Sequence, residues 1–412
     1  MQITGANKTF DVDVDFVGSK SESNRVLMIG YYGGFSPRVK NLSESDDTRL
    51  LNEIINKISV ETMRTSSLQD AIIINCQNAG TVFRFLVTAL SLKTGYWILT
   101  GSDRMQQRPI GDLVDALRTM GADIEYVGNE GFPPLKIHGK NLVETHGRAS
   151  LPIHVDITRS SQFASSILLA MPIVETRHGT SLHLDGDLSS LPYIDMTIDL
   201  MRKFGVDVHR DGRDIIVKPS HYQDVEYNVE SDWTCASYWY EIVAFSENGR
   251  ARLRNLHLDS KQGDAIVAKW FEQFGVQSVQ NGNDIIITHV ETVPETSQNR
   301  SNYVYTFDFI NNPDLYPTIA ATCAGLRIEG RFTGLRNLKH KESDRVAAMT
   351  AELSRVETGR CPSHIFDSHN DHRIAMALAP LAMKIGAIEI NNADVVSKSY
   401  PNFWEEFNSI LK

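Results

Sequence analysis

The sequence predicts an α/β protein assembled from repeated helix–strand units, and three observations carry that prediction. First, three segments share one plan: PIGDLVDALRTMGADIEYV from Pro109, YIDMTIDLMRKFGVDVHR from Tyr193 and GDAIVAKWFEQFGVQSV from Gly263. Each has apolar residues at helical spacing, a Met-Gly or Phe-Gly stop and a short alternating strand. Second, Gly121, Gly205 and Gly275 stand where a helix end calls for a left-handed residue. Third, strand-like runs lie between the helices at 71–75, 96–100, 214–218, 284–288 and 387–391. Segments 46–59 and 345–356 read as weaker copies, the latter without its glycine. Copies at uneven intervals fit repeated α/β units better than a solenoid.

The length of 412 residues corresponds to two or three domains at about 150 residues each. No linker or low-complexity tract marks a boundary, and the best candidates are Gly18-Ser19-Lys20 and Glu230-Ser231-Asp232. The 41 Lys and Arg against 51 Asp and Glu give a net charge of −10, which argues against non-specific nucleic-acid or membrane partners. Taken in bulk, that charge also disfavours a small anionic substrate. The four cysteines (Cys76, Cys235, Cys323, Cys361) have no metal-ligand or disulfide spacing, so a reducing compartment, the cytoplasm, is expected. Neither GxxxxGK[ST] nor GxGxxG occurs, and the 13 histidines form no HExxH pair. No nucleotide cofactor and no metal is therefore expected.

Five arginines have an unusual position. Arg25, Arg84, Arg345 and Arg373 each stand between a polar, cap-like stretch and an apolar helical run, and Arg108 directly precedes Pro109. Singly, each is most simply a capped helix start beside a solvated arginine. Together they repeat a choice that opposes the helix macrodipole by roughly 0.3–1 kcal/mol each. The repetition makes sense where several helix N-termini hold a shared anion through amides and guanidiniums. Thr158-Arg159-Ser160-Ser161-Gln162 puts neutral donors before another apolar helix, as a phosphate cradle or an ordinary cap. Asp314 reads most simply as a helix N-cap. Glu342 lies between Lys341 and Arg345, which favour its carboxylate form.

In order, the stretches GSKSESNR (Gly18), NLSESDDTR (Asn41), NAGTVFR (Asn78), RMQQRPIGDLVDALRTMGA (Arg104) and RSSQF (Arg159) cover the first half. GDLSSLPYID (Gly186), NPDLYPTIA (Asn312), KESDR (Lys341), NDHRIAMALAPLA (Asn370) and SKSYPNFW (Ser397) cover the second. Together they resemble the enolpyruvyl transferase superfamily, and within it the 5-enolpyruvylshikimate-3-phosphate synthases.

The resemblance implies two domains of three α/β units each, 20–231 and 1–19 with 232–412, and an active site in the inter-domain cleft. It implies transfer of the enolpyruvyl group of phosphoenolpyruvate to the 5-hydroxyl of shikimate 3-phosphate by addition and elimination, without cofactor or metal. The partners expected are these small molecules alone, bound by a monomer, with no nucleic acid and no membrane. Carried over residue by residue, Lys20, Ser21, Arg25, Ser160, Ser161, Gln162, Ser190, Tyr193, Asp314, Asn337 and Lys341 resemble shikimate 3-phosphate contacts. Lys20, Gly80, Arg108, Gln162, Arg345, Arg373 and Lys398 resemble those to phosphoenolpyruvate, with Asn78, Thr81 and Arg84 shaping the pocket. Asp314 resembles the base for the 5-hydroxyl, and Glu342 and Lys20 the groups that exchange a proton with the methylene. Gly80 leaves room beside phosphoenolpyruvate, so glyphosate is expected to compete.

This chain departs from the family pattern in places. It lacks a Pro before GSK, has Phe85 where Pro often follows NAGTxxR, and has Leu191 where Lys is frequent. The stretch between KESDR and NDHR is short, which predicts an incomplete sixth unit. Two rival readings are a UDP-N-acetylglucosamine enolpyruvyl transferase and a non-catalytic anion-binding paralogue. Against the first, Lys20-Ser21 replaces the usual Lys-Asn and no Cys occurs in 101–107; against the second, Asp314, Glu342 and Lys398 are all present.

Overall fold

A computed structural model describes residues 1–3, 8–61, 71–140, 152–174, 180–290, 304–358 and 364–411. The chain forms two compact units. The central unit is Lys20–Ser43 with Asp47–Val229, and the terminal unit is Met1–Ser19, Glu44–Asp46 and Glu230–Lys412.

Among the described residues the repeat is a strand–helix–strand–helix–hairpin module, found three times with one topology. In the central unit Ile72–Asn75 runs parallel to Gly95–Thr100, which pairs antiparallel with Leu135–Gly139, and that strand with Asp123–Tyr126. Ile153–Asp156, Thr180–Asp185, Asp214–Val217 and Val208–Asp211 repeat the order. So do Thr9–Val14, Asn248–Leu253, Asp284–His289 and Val276–Asn281 in the terminal unit. The third module is thus interrupted by the whole central unit after its first strand. Gly121, Gly205 and Gly275 take φ of 90°, 88° and 80°, the left-handed stops that the helix-to-strand turn needs.

The expected incompleteness of the sixth unit falls in part on residues outside the described ones. Among the described residues Tyr305–Asp308 and Gly330–Thr333 form a two-stranded parallel sheet. The sixth is a three-stranded sheet, with Gln2–Ile3 antiparallel to Ile388–Asn391 and His364–Asp367 parallel to it. The N-terminal strand fills the edge a hairpin fills elsewhere. Residues 359–363, and Cys361 with them, lie outside the described residues.

Each unit has its own core. Phe83, Phe85, Trp97, Phe163 and Phe204 anchor the central one, and Trp233, Trp239, Tyr240 and Phe271 the terminal one. In both, helices such as Gly80–Leu92 and Trp233–Phe245 are buried nearly all round, as expected of a helix apolar on every face.

Three helix starts differ from the sequence reading, one of them that of Gly80–Leu92, which begins four residues before Arg84. The first helix begins at Lys20, five residues before Arg25. Its polar first turn is buried because neighbours satisfy it: Ser23 Oγ accepts from Ser43 N at 2.9 Å, Thr48 Oγ1 donates to Asn24 Oδ1 at 2.8 Å, and Tyr227 OH donates to Glu22 Oε1 at 2.7 Å. Arg108 precedes no helix directly. The helix begins at Gly111, while Ile110 N donates to Gly131 O and Arg108 N to Met105 O. The dipole argument therefore holds for Arg345 and Arg373, which lie in the first turns of Arg345–Thr358 and His372–Leu378.

Candidate active site

In the terminal unit, the residues singled out around the KESDR and NDHR stretches converge on Arg345, which is 1% exposed. Its Nε donates to Asp371 Oδ2 at 2.8 Å, its Nη1 to Asp314 Oδ1 at 2.7 Å and its Nη2 to Glu342 Oε2 at 2.8 Å. One guanidinium thus engages three carboxylates, a use of its fixed donor fork that a lysine could not reproduce. Two of these acids bridge outward. Asp314 Oδ2 accepts from Arg373 Nη2 at 2.8 Å, and Lys341 Nζ lies 3.3 Å from Asp314 Oδ1. Lys398 Nζ donates to Glu342 Oε1 at 3.2 Å.

Asp314 therefore does not cap a helix. It sits in the Pro313–Leu315 turn with its carboxylate among three cations. Burial alone would raise its proton affinity, but Arg373, Lys341 and Arg345 outweigh burial and hold the carboxyl well below its ordinary range. Lys341 is pulled down by burial, with Asp314 opposing. Behind them lies Asp264, which no sequence argument singled out. It accepts from Thr234 Oγ1 at 2.5 Å and Asn312 Nδ2 at 3.3 Å, and burial with nearby Asp314 pushes it up to about 6.

Asp371 was also missed as a site residue, although the quoted NDHR motif contains it. It caps the His372–Leu378 helix by accepting from Arg373 N at 3.0 Å, and it takes a bond from Ser343 Oγ at 3.1 Å. An Asp before two basic residues at a helix start was a legible N-cap signal; its grip on Arg345, 26 residues back, was not. Asn337 lies in the Arg336–His340 turn that leads into Lys341.

The central unit gathers the remaining residues. The Gly80–Leu92 and Gln162–Ala170 helices pack side by side, with Thr88 Oγ1 and Ser166 Oγ 2.6 Å apart and Ser166 Oγ donating to Arg84 O at 2.8 Å. Gln162, first in its helix, donates to Thr81 Oγ1 at 2.9 Å and accepts from Arg84 Nη1 at 2.7 Å. Arg84 also stacks over the Phe163 ring, 5.5 Å from its centroid. Ala79 and Ser161 precede these helices without a side-chain cap, so two positive helix ends lie together.

Beside them, Arg108 is 6% exposed, and its Nε and Nη1 have no hydrogen-bond partner among the described residues. It fits there because residue 80 is glycine: a Cβ would lie 2.6 Å from Arg108 Nη1 and 2.8 Å from Cζ. An unsatisfied buried guanidinium next to uncapped helix ends is an arrangement that favours an anion.

Arg25 is built in otherwise. Nε donates to Thr197 Oγ1 at 2.7 Å, Nη1 to Ser21 O at 2.8 Å, and Nη2 to Ser165 Oγ and Tyr193 O at 3.1 Å each. It thereby ties together the carriers of Ser21 and Tyr193. Ser190 precedes the Leu191–Lys203 helix in a left-handed conformation, φ 55°, without capping it. Ser160 Oγ accepts from Gln162 N at 3.3 Å. Lys20 pairs with Asp47 at 3.4 Å, a partner inside the quoted NLSESDDTR stretch to which no role had been given.

Comparison with known proteins agrees with this geometry. Residues 6–407 match the family model described as EPSP synthase (3-phosphoshikimate 1-carboxyvinyltransferase). A 3-phosphoshikimate 1-carboxyvinyltransferase of Bacteroides fragilis is 37% identical over 413 residues, covering 95% of this chain and 93% of the relative. One from a Sulfurovum species is 33% identical over 429 residues, covering 97% and 96%. The structure of EPSP synthase from Acinetobacter baumannii superposes with a TM-score of 0.70 at 23% identity, covering 99% of this chain and 97% of that one. The enolpyruvyl transferase NikO from Streptomyces tendae gives 0.67 at 14% identity, covering 99% and 96%. These two show the shared two-domain α/β fold. Among the described residues no helix is long and apolar enough to cross a membrane. With its motifs in order and the match running nearly end to end, this chain belongs to the EPSP synthase family.

Proposed function

We propose that this chain transfers the enolpyruvyl group of phosphoenolpyruvate to the 5-hydroxyl of shikimate 3-phosphate and releases phosphate. The observation that carries the reading is the Arg345 cluster, where cations and carboxylates are held together within one buried network. The reaction requires both kinds of group. Phosphoenolpyruvate keeps a charged carboxylate and phosphate throughout, and preorganised cations hold that charge without rearranging. The acceptor hydroxyl must also lose a proton as its oxygen attacks.

We assign that proton to Asp314. The free protein holds Asp314 ionised but weakly basic, because Arg373, Lys341 and Arg345 face it. An incoming carboxylate bound by Arg345 and Arg373 shares those guanidiniums, and Asp314 gains proton affinity as their charge is divided between two anions. Arrival of one substrate thereby readies the base for the other. The hydroxyl oxygen then bonds to the central carbon of phosphoenolpyruvate, and the methylene carbon takes up a proton to become a methyl. In the second step the methyl gives a proton back as the phosphate leaves, which restores the double bond. We assign this proton exchange to Glu342 and Lys20. Arg108, Gly80, Gln162 and Lys398 complete the phosphoenolpyruvate contacts. Ser21, Arg25, Ser160, Ser161, Ser190, Tyr193, Asn337 and Lys341 complete those to shikimate 3-phosphate.

The proposal draws on groups of both units, so we read 20–231 and 1–19 with 232–412 as two cooperating domains. We also propose a monomer in the cytoplasm, a setting compatible with the buried free thiols Cys76, Cys235 and Cys323.

The test is phosphate release from phosphoenolpyruvate with either shikimate 3-phosphate or UDP-N-acetylglucosamine as acceptor. Release only with the first is expected, and release with the second overturns the assignment. Asp314→Asn should keep both substrates bound while turnover falls by about 10²–10⁴-fold. Undiminished turnover removes Asp314 from the mechanism.

A further inference from the structure

Away from these residues, the Ile153–Asp156 and Thr180–Asp185 strands bring a second set of chemistry-bearing side chains together. The strands run parallel with His154 directly opposite His183, and the ring centroids are 5.0 Å apart. Asp185, two residues after His183, faces the same side of the sheet. Its Oδ2 lies 3.0 Å from His154 Nδ1 and its Oδ1 3.7 Å from His183 Nε2. One atom from each of the three residues falls within 4.8 Å of the others.

The adjoining strand supplies a further observation. Asp214 stands opposite His183, and its Oδ1 lies 2.7 Å from His183 Nδ1. A carboxylate there holds the proton on Nδ1 and leaves the Nε2 lone pair turned toward Asp185. Nitrogen and carboxylate then face each other at 3.7 Å, too far for a hydrogen bond. A cation between them converts that opposition into attraction. Bonds of about 2.0–2.2 Å to a shared metal put ligand atoms roughly 3–4 Å apart, the spacing observed for both histidines against Asp185. A ligating imidazole whose other nitrogen is bonded to a carboxylate is also the usual outer arrangement of a histidine–metal site.

We propose that His154, His183 and Asp185 bind one first-row divalent cation of the zinc type, with Asp214 fixing the His183 tautomer. Two imidazoles and one carboxylate select a borderline cation over magnesium or calcium, which prefer all-oxygen shells. His154 and Asp185 are partly exposed, so water completes the coordination and the ion exchanges with solvent. The cation clasps two neighbouring strands of one sheet and takes no part in enolpyruvyl transfer.

The test is calorimetric titration of Zn²⁺ into the full chain, repeated for His154→Ala, His183→Ala and Asp214→Asn. The expected result is one equivalent lost in each histidine variant and affinity weakened roughly 10-fold in Asp214→Asn, with phosphate-release rates unchanged as the sign of intact folding. Co²⁺ should give a visible ligand-field band in the parent chain that disappears in His183→Ala. Equal Zn²⁺ stoichiometry and affinity in the parent and the His154→Ala/His183→Ala double variant overturn the site.

Discussion

Arg25 and Arg345 share a sequence signature, a polar stretch before an apolar helical run, and each is 1% exposed. Their surroundings are opposite. Arg345 is surrounded by Asp371, Asp314 and Glu342, and these acids overcome burial to raise its proton affinity. Around Arg25 the bonded groups are two hydroxyls and two carbonyls, and burial pulls the guanidinium down to about 10, still a cation at neutral pH. One charge is neutralised by the protein. The other is solvated by neutral dipoles and keeps its positive field, which suits it to an anion that arrives from outside. A buried arginine is therefore not one kind of site, and its acceptors decide whether an arriving anion competes with acids already in place or meets an uncompensated charge.

The same substitution at both positions tests that difference. Arg345→Met strands three carboxylates, and breaking a buried ionic network in this way costs about 3–5 kcal/mol. Arg25→Met leaves acceptors that already have each other: Thr197 Oγ1 donates to Ser165 Oγ at 3.0 Å and to Tyr193 O at 2.8 Å. We expect a loss of about 1–2 kcal/mol there, with a large rise in the KM for shikimate 3-phosphate. Denaturant unfolding and steady-state kinetics measure both. Equal destabilisation would erase the distinction.

Asp264 tests whether the Arg345 cluster couples to pH. Its folded-state carboxyl, pushed up to about 6 from an ordinary 3.8, binds its proton more tightly than in the unfolded chain. Below the lower value both states are protonated and the native state carries no penalty. As pH rises from about 4 to 6 the unfolded chain ionises first, so stability falls, by at most about 3 kcal/mol from this group. Above 6 the loss is complete. Asp264→Asn should remove that slope, and an unaltered stability profile between pH 4 and 6 would show that the group does not titrate in this window.

Much of the fold was legible because its module repeats: the helix, glycine stop and strand pattern survives in the copies that turn at Gly121, Gly205 and Gly275, and local periodicity reports it. Arg345 and Arg373 were legible as helix-start cations because such placement goes against an electrostatic preference. Long-range pairing was not legible. Nothing local ties Asp371 to Arg345 or Asp47 to Lys20, and Asp314 looked like an N-cap because the cations that claim it lie 27, 31 and 59 residues on. The bulk charge misled for the same reason. It averages over the surface and does not report the cations buried at Arg25, Arg108 and Arg345. Nor could local periodicity show that Gln2–Ile3 pairs with Ile388–Asn391, nearly the whole chain away.

Gly80 sharpens the anion-attracting side of the comparison. Unlike Arg345, Arg108 has donors without acceptors, so its position rests on packing. Gly80→Ala puts a methyl 2.6 Å from Nη1 and forces the flexible guanidinium aside. We expect the KM for phosphoenolpyruvate to rise roughly 10-fold, about 1.4 kcal/mol, and glyphosate inhibition to weaken with it. An unchanged inhibition constant would separate Gly80 from the phosphoenolpyruvate contacts.

An effect of opposite sign comes from a buried acid with no cation near enough to bond. Glu241 lies in the Trp233–Phe245 helix at 0% exposure, and neither carboxylate oxygen has a hydrogen-bond partner among the described residues. Burial pushes its carboxyl well above the ordinary range, so the folded state carries it as the neutral acid. In the Arg345 cluster acids gain from burial because a guanidinium meets them; here an acid bears the desolvation cost alone. Glu241→Met keeps the volume and removes the polar group, and should stabilise the protein by about 1–2 kcal/mol at neutral pH. The sign of the pH dependence follows. The unfolded chain ionises Glu241 above its ordinary value of 4.5 while the folded chain keeps the proton, so the parent loses stability as pH climbs and the variant does not. The gain from Glu241→Met should accordingly shrink from pH 7 to pH 4.5. A melting temperature that drops in the variant at pH 7 would mean this carboxyl stabilises the core, and the contrast with Arg345 would fail at that point.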